Sequence, residues 1–234
     1  MPNIKKTGFS PEWDDCYRGN NNFPIWPWSD VVSLVNRYCK NIITLKSASV
    51  LELGCGAGAN IPFFKSLGMN YYAIEGSSFI VKQLQQSFPD IAAHIQNGDF
   101  TIDEPFKRNF DLVIDRAAIT HNNTVSIQNT IENISNFLKP DGLFIGVDWF
   151  STNHTDYLDG EIVDEYTRTN FKKGQFASIG NVHFSNEAHL KELFKNFEII
   201  FMQEKIRKFY KPQRISQVAC WDIVVKKVAT DLYV

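Results

Sequence analysis

Glu52 stands two residues ahead of Gly54, and Gly54, Gly56 and Gly58 follow at every second position in the stretch VLELGCGAG, Val50 to Gly58. Glycines so placed between a strand and a helix let a ligand approach bare backbone N–H groups. A dinucleotide-binding turn would show G-x-G-x-x-G, and no G-K-[ST] of a P-loop is present. A second acid, Glu75, lies 21 positions after Gly54. At about that distance an acid accepts hydrogen bonds from ribose hydroxyls, although an acid there can also serve the dipole of the following helix. Downstream, His121, Asp148 and His183 are the candidates for a general base. His121 reads equally as a histidine that packs near a helix start.

These residues need elements to position them. Val50, Leu51 and Leu53 end a buried strand over Ser47 to Leu53, and a helix follows the glycine turn from Asn60 to Leu67. Strand two covers Asn70 to Ile74 and ends on Glu75; a helix runs from Phe79 to Phe88; strand three covers Ile91 to Gln96 and closes on Asn97, Gly98, Asp99 and Phe100. Strand four, Phe110 to Asp115, is apolar enough for a central parallel strand and runs into RAAITHN. Ile127, Ile131, Ile134 and Leu138 mark a helix over Val125 to Leu138, and strand five spans Leu143 to Phe150. Ser185 caps a helix over Asn186 to Phe194; strands from Phe197 to Phe201 and from Ser216 to Val225 then form a hairpin. Strand and helix alternate from residue 47 to about residue 200, which predicts a parallel sheet with helices on both faces.

Two segments lie outside this alternation. Residues 13–28, WDDCYRGNNNFPIWPW, carry three of the five tryptophans yet are too interrupted by Gly, Asn and Pro for a regular element. The arm either covers one side of the core or closes over a ligand. Met1 to Pro11 ahead of it reads as loose, and Ser29 reads as the N-cap of a helix to about Ile43. Thr152 to Phe184 is polar, aromatic and without clear period, with a short helix expected over Glu161 to Thr169. A stretch of this length is functional or disordered.

The glycine turn resembles the first motif of the class I S-adenosylmethionine-dependent methyltransferases, and FLKPDGLFIG resembles a common structural element of the same family. The resemblance runs in order from about Ser47 to Val228. It implies a Rossmann-like, seven-stranded, mostly parallel α/β sheet with helices on both faces and a C-terminal antiparallel hairpin. Residues 1–46 would be an arm and helix covering the cofactor site, 47–234 the methyltransferase domain, and 152–184 an acceptor cover within a single domain. S-adenosylmethionine is the implied cofactor. Glu52 and the backbone of Gly54, Cys55, Gly56 and Gly58, with Asn60, would hold its methionine end; Glu75, Gly76 and Ser77 its ribose; Gly98, Asp99 and Phe100 its adenine. Asp115, Arg116 and Ala117 would lie under the transferable methyl. The W-D-x-x-Y…P-W arm is loosely similar to that of the thiopurine and tellurite-resistance methyltransferases. On that likeness Tyr17, Arg18 and Trp28 are cofactor contacts, Trp26 could replace Trp28, and Arg18 could pair with the methionine carboxylate.

Composition bounds the rest. Lysine and arginine number 24 against 26 acids, and no basic excess points to nucleic acid. The four cysteines, Cys16, Cys39, Cys55 and Cys220, show no C-x-x-C, so neither a metal nor a disulfide framework is expected. No apolar run nears the ~18 residues of a membrane span. The expectation is a cytoplasmic monomer or homodimer acting on a small molecule, with no nucleic-acid or membrane partner. The alternatives are a protein acceptor and a catalytically silent cofactor-binding module.

Overall fold

The computed structural model describes residues 10–19, 24–107 and 109–228, without the side chains of 213–216. Most of the stretch expected to be loose, and the middle of the arm, lie outside those residues.

The chain begins with a short helix, α1 (Glu12–Arg18), inside the arm that the sequence marks as irregular. Glu12, Asp14 and Asp15 occupy its first turn and Arg18 its last, which suits the helix dipole, and Arg18 pairs with Asp14 one turn back at 2.7 Å. The helix expected to be capped by Ser29 and to run to Ile43 starts at Ser29 itself, with Trp28 in the cap position, and breaks at Cys39 into α2 (Ser29–Tyr38) and α3 (Lys40–Ile43). Then come β1 (Ser49–Leu53), α4 (Ile61–Ser66), β2 (Asn70–Glu75) and α5 (Ser78–Ser87). Strand three is shorter than its apolar run: Pro89–His94 forms a 3-10 turn, and only Ile95–Asn97, β3, joins the sheet. β4 (Phe110–Arg116), α6 (Thr124–Phe137) and β5 (Leu138–Phe150) follow. β5 starts five residues early because the KPD corner, with Asp141 at φ 62°, is an irregularity within the pairing to β4.

The Glu161–Thr169 helix is absent; the insertion instead holds β6 (Glu161–Ile162), β7 (Thr167–Thr169) and β8 (Val182–His183), a three-stranded antiparallel sheet. Asp164 explains it, since it accepts from the N–H groups of Tyr166 and Thr167 and turns the chain back. Helix α7 (Glu187–Leu193) is capped by Asn186 rather than Ser185, its side chain accepting from His189 N at 2.8 Å. Last come β9 (Phe197–Tyr210) and β10 (Gln213–Lys227).

The main sheet has seven strands in the order β3-β2-β1-β4-β5-β10-β9. The first five are parallel, and β10 runs antiparallel to both β5 and β9. Successive residues of each strand feed opposite faces. Val50, Tyr71 and Leu112 pack under α2, α4 and α5, while Leu51, Val113 and Phe144 pack under α6 and α7. A third, aromatic cluster, Phe150, Phe171, Phe176 and Phe184, joins the insertion to the end of β5. Because β1 has β2 on one side and β4 on the other, the strand order reverses there. That opens a crevice at the carboxyl ends of β1 and β4.

Candidate active site

A cavity of about 490 Å³ occupies this crevice. Its floor is the glycine turn. Gly54 (φ +65°) and Gly56 (φ +52°) take backbone conformations that other residues avoid. A Cβ on Gly54 would lie 2.3 Å from that of Ala118, and one on Gly56 2.9 Å from the Tyr17 hydroxyl. Gly58 serves packing instead: a Cβ there would meet Leu84 and Ile61, and the residue does not line the cavity.

Two buried acids fix the turn. Glu75 accepts from Gly56 N and Ser77 N, both at 2.9 Å, and lines the cavity. Burial raises its pKa, against the pull of those N–H groups. Glu52 accepts from Asn60 Nδ2 at 2.8 Å and from the Tyr71 hydroxyl at 2.5 Å, and burial pushes its carboxyl up to about 7. Asn60 in turn accepts from the backbone N–H of Trp28 at 3.2 Å. Both Glu52 oxygens are therefore engaged by protein, and its effect reaches the arm through Asn60.

The β4 end forms one wall. Asp115 lies beneath it, fully buried, accepting from Trp149 Nε1 at 2.7 Å and from the N–H groups of Ala118 and Ile119. Burial raises its carboxyl to about 7. It shapes the turn in which Ala117 (φ 57°) faces the cavity. Arg116 stacks its guanidinium 3.7 Å over the Trp28 ring and donates to Asp148 at 2.8 Å. Asp148 also receives Lys205 at 2.9 Å. Burial opposes its ionisation, but Arg116 and Lys205 outweigh burial and hold its carboxyl below the usual range. With both oxygens in ion pairs, Asp148 positions Arg116 and is poorly placed to take a proton.

His121 fits the base role better. It lines the cavity between Trp13, ring centroids 4.9 Å apart, and Phe150, 5.7 Å apart. Its Nδ1 lies 3.2 Å from the Asn181 carbonyl. A carbonyl only accepts, so Nδ1 carries the hydrogen and Nε2 keeps its lone pair. Burial lowers its pKa to about 4. Beside it, the Asn122 side chain donates to Ile119 O at 3.1 Å while its buried Oδ1 has no partner among the described residues.

Of the residues expected from sequence, the cavity brings together Tyr17, Trp28, Glu52, Gly54, Cys55, Gly56, Asn60, Glu75, Gly76, Gly98, Asp99, Phe100, Arg116, Ala117, His121 and Asp148. Arg18, Ser77, Asp115, Gly58 and His183 lie outside it. Arg18 points away, paired with Asp14 and 4.9 Å over the Phe79 ring. Ser77 caps α5, accepting from Ile80 N at 3.3 Å and donating to Asp14 at 2.5 Å. His183 is buried in the insertion, Nδ1 3.0 Å from the Thr167 hydroxyl and Nε2 3.0 Å from His189 Nε2, so it cannot reach an acceptor in the cavity. Trp26 is exposed, leaving Trp28 as the tryptophan at the site. Sequence reasoning missed Trp13, Asn122, Phe150, Phe176 and Arg207 as lining residues. Only the aromatic richness of the arm and insertion hinted at any of them.

Residues 50–142 match a family model described as a methyltransferase domain. The chain therefore carries a methyltransferase domain. No curated relative matches it in sequence. Among solved structures, an S-adenosylmethionine-dependent methyltransferase from Methanosarcina mazei superposes with TM-score 0.64 at 14% identity, over 87% of this chain and 99% of that one. TehB from Haemophilus influenzae gives TM-score 0.61 at 17% identity, over 92% and 67%. An amino pentose methyltransferase of calicheamicin biosynthesis from Micromonospora echinaspora, solved with S-adenosylmethionine bound, gives 0.57 at 15%, over 94% and 98%. At these identities the likeness speaks for the methyltransferase fold. The cavity suits the cofactor S-adenosylmethionine on its own evidence: a glycine turn with no room for side chains, a buried carboxylate beside it, and the Phe100 ring beyond.

Proposed function

We propose that this methyltransferase transfers a methyl group to an oxygen or nitrogen of a small molecule held between the arm and the insertion. One observation carries the reading. The cavity that begins at the glycine turn continues, under Trp13 of α1, to Phe150 and Phe176 of the aromatic cluster. An acceptor there is enclosed by aromatic walls, as small-molecule sites are. The amino pentose substrate of one structural neighbour is of the same size class. The four free cysteines support a reducing, cytoplasmic setting.

Bound S-adenosylmethionine supplies an electrophilic sulfonium methyl. The residues of this chain then align and enclose. Glu75 offers its remaining lone pairs to ribose hydroxyls, and Phe100 offers its ring to the adenine. Arg116 and Arg207, rather than Arg18, are the guanidinium groups lining the cavity that can meet a carboxylate. His121 Nε2 accepts the proton that an N–H or O–H acceptor must release, and Asn122 Oδ1 offers a second acceptor beside it. Alignment of this kind can lower a barrier by ~7–11 kcal/mol, so a weak base suffices.

The test is calorimetric titration with S-adenosylmethionine and S-adenosylhomocysteine, followed by a screen of amino sugars, hydroxylated scaffolds and metabolite amines with labelled methyl donor. Binding of both nucleosides with transfer to a small molecule is the expected result. Transfer only to proteins would overturn the acceptor assignment.

A further inference from the structure

The outer end of the β9–β10 hairpin plays no part in the chemistry above, yet its composition is unusual for this chain. From Lys205 to Gln217 there is no acid, although acids outnumber basic residues over the whole sequence. β5 pairs with β10 only from Cys220 to Lys226, so the tip stands beyond the sheet. Arg207, Lys208 and Lys211 form no ion pair with any described residue, and Ile206 and Tyr210 are exposed among them, Tyr210 at 85%. Ile206, Lys208 and Tyr210 alternate along β9 and share one face.

A second exposed apolar group borders the same cavity. Pro24 and Arg207 both line it. Ile25 and Trp26 follow Pro24 and are 72% and 77% exposed. The two segments are tied at their bases, where Asp30 at the start of α2 meets Lys205 of β9 at 2.6 Å. The rim thus carries Arg207 on the cavity face of the tip, with Lys208 on the opposite face of the same strand, neither ion-paired to a described residue, and an exposed Trp–Ile pair on the arm.

We propose that this rim is a docking surface for an anionic lipid bilayer. Unpaired lysines next to a negative surface each contribute about a fivefold gain in binding. Tryptophan and tyrosine settle at headgroup level. The aliphatic members decide against nucleic acid, because Ile25 and Ile206 gain by entering hydrocarbon and have no ring to stack on a base. No helix of the described residues is long and apolar enough to cross a membrane. The expectation of no membrane partner rested on that absence, and it says nothing about a protein that lies on the surface. Docking stands independently of the acceptor. That an acceptor dissolved in the lipid reaches the cavity from this side rests on the proposed function.

The test is co-sedimentation of the full chain with vesicles of phosphatidylcholine alone and of phosphatidylcholine mixed with phosphatidylglycerol. Binding to the mixed vesicles that weakens with salt is expected, with little binding to phosphatidylcholine. Lys208→Gln combined with Lys211→Gln should lower partitioning by about 30-fold, and Trp26→Ser should lower it at every salt concentration. Titration with S-adenosylhomocysteine should be unchanged in both variants, which shows that they fold and separates this test from that of the cofactor site. No sedimentation with either vesicle, or sedimentation that both variants leave intact, overturns the proposal. Retention by a single-stranded oligonucleotide without vesicle binding overturns it in favour of nucleic acid.

Discussion

Two acids of similar burial divide the work at the glycine turn. Glu75 keeps a face on the cavity and orders Gly56, whereas Glu52 spends both oxygens on Asn60 and Tyr71. Glu75→Ala should therefore weaken S-adenosylhomocysteine binding by about 1.5–3 kcal/mol per lost hydrogen bond to a charged acceptor. An unchanged titration would remove the ribose role. His121 carries a pH prediction. Burial lowers its pKa to about 4, below the ordinary value. Between about pH 4 and 6.5 the unfolded chain binds the proton and the folded chain does not. The neutral imidazole thus contributes stability that is fully present above about pH 6.5 and is lost as pH falls towards 4, by about 3 kcal/mol at most. Raised acids such as Glu52 and Asp115 act in the opposite sense, losing stability as pH rises through about 7. Comparing urea midpoints of the unaltered chain and His121→Gln at pH 7 and pH 5 isolates the histidine. The variant should show the smaller acid loss.

Elements decide what the glycines mean. Gly54, Gly56 and Gly68 all have positive φ, but a Cβ on Gly68 meets nothing within 4 Å whereas one on Gly54 collides with Ala118. Gly68→Ala should cost about 1 kcal/mol of stability and spare nucleoside binding. Gly54→Ala should abolish that binding, because the turn must move away from the β4 loop. Equal binding by the two variants would mean that the turn is not the cofactor cradle. The arm is tested through Trp28, whose ring lies on the Arg116 guanidinium. Such a contact is worth about 0.5–2 kcal/mol. If the arm closes over the site, Trp28→Ala should raise the dissociation rate of S-adenosylhomocysteine, measured by stopped-flow competition. A loss of thermal stability alone would make the arm plain packing.

At the scale of the molecule, Lys205 joins parts far apart in the chain. It meets Asp30 of α2, Asp148 of β5 and Asp222 of β10 within 2.9 Å. Its own pKa is raised because those three carboxylates outweigh its burial. Lys205→Met leaves three acids facing one another with only Arg116 to offset them. About 3 kcal/mol should be lost, which for a chain of this size lowers the melting temperature by about 6–12 °C. A drop that high salt does not reduce would argue against an electrostatic origin.

Local chemistry made much of this protein legible before folding. A glycine turn, an acid one βα unit later and apolar runs of strand length each report their own conformation within a few residues, because sterics and strand burial act locally. Hence the sheet, the glycine turn and the position of Glu75 beside it were readable from the chain alone. The rest depends on contacts between distant residues. Arg18 and Arg116 look alike as cations in a sequence. Only packing turns one outward onto Asp14 and Phe79 and the other inward beneath Trp28. His121 and His183 look alike as bases until tertiary structure places one on the cavity wall and ties the other to His189. The aromatic end of the cavity joins Trp13, Phe150 and Phe176, side chains from three separate segments. No short-range pattern encodes such a meeting, because it is settled by which surfaces the whole chain buries together.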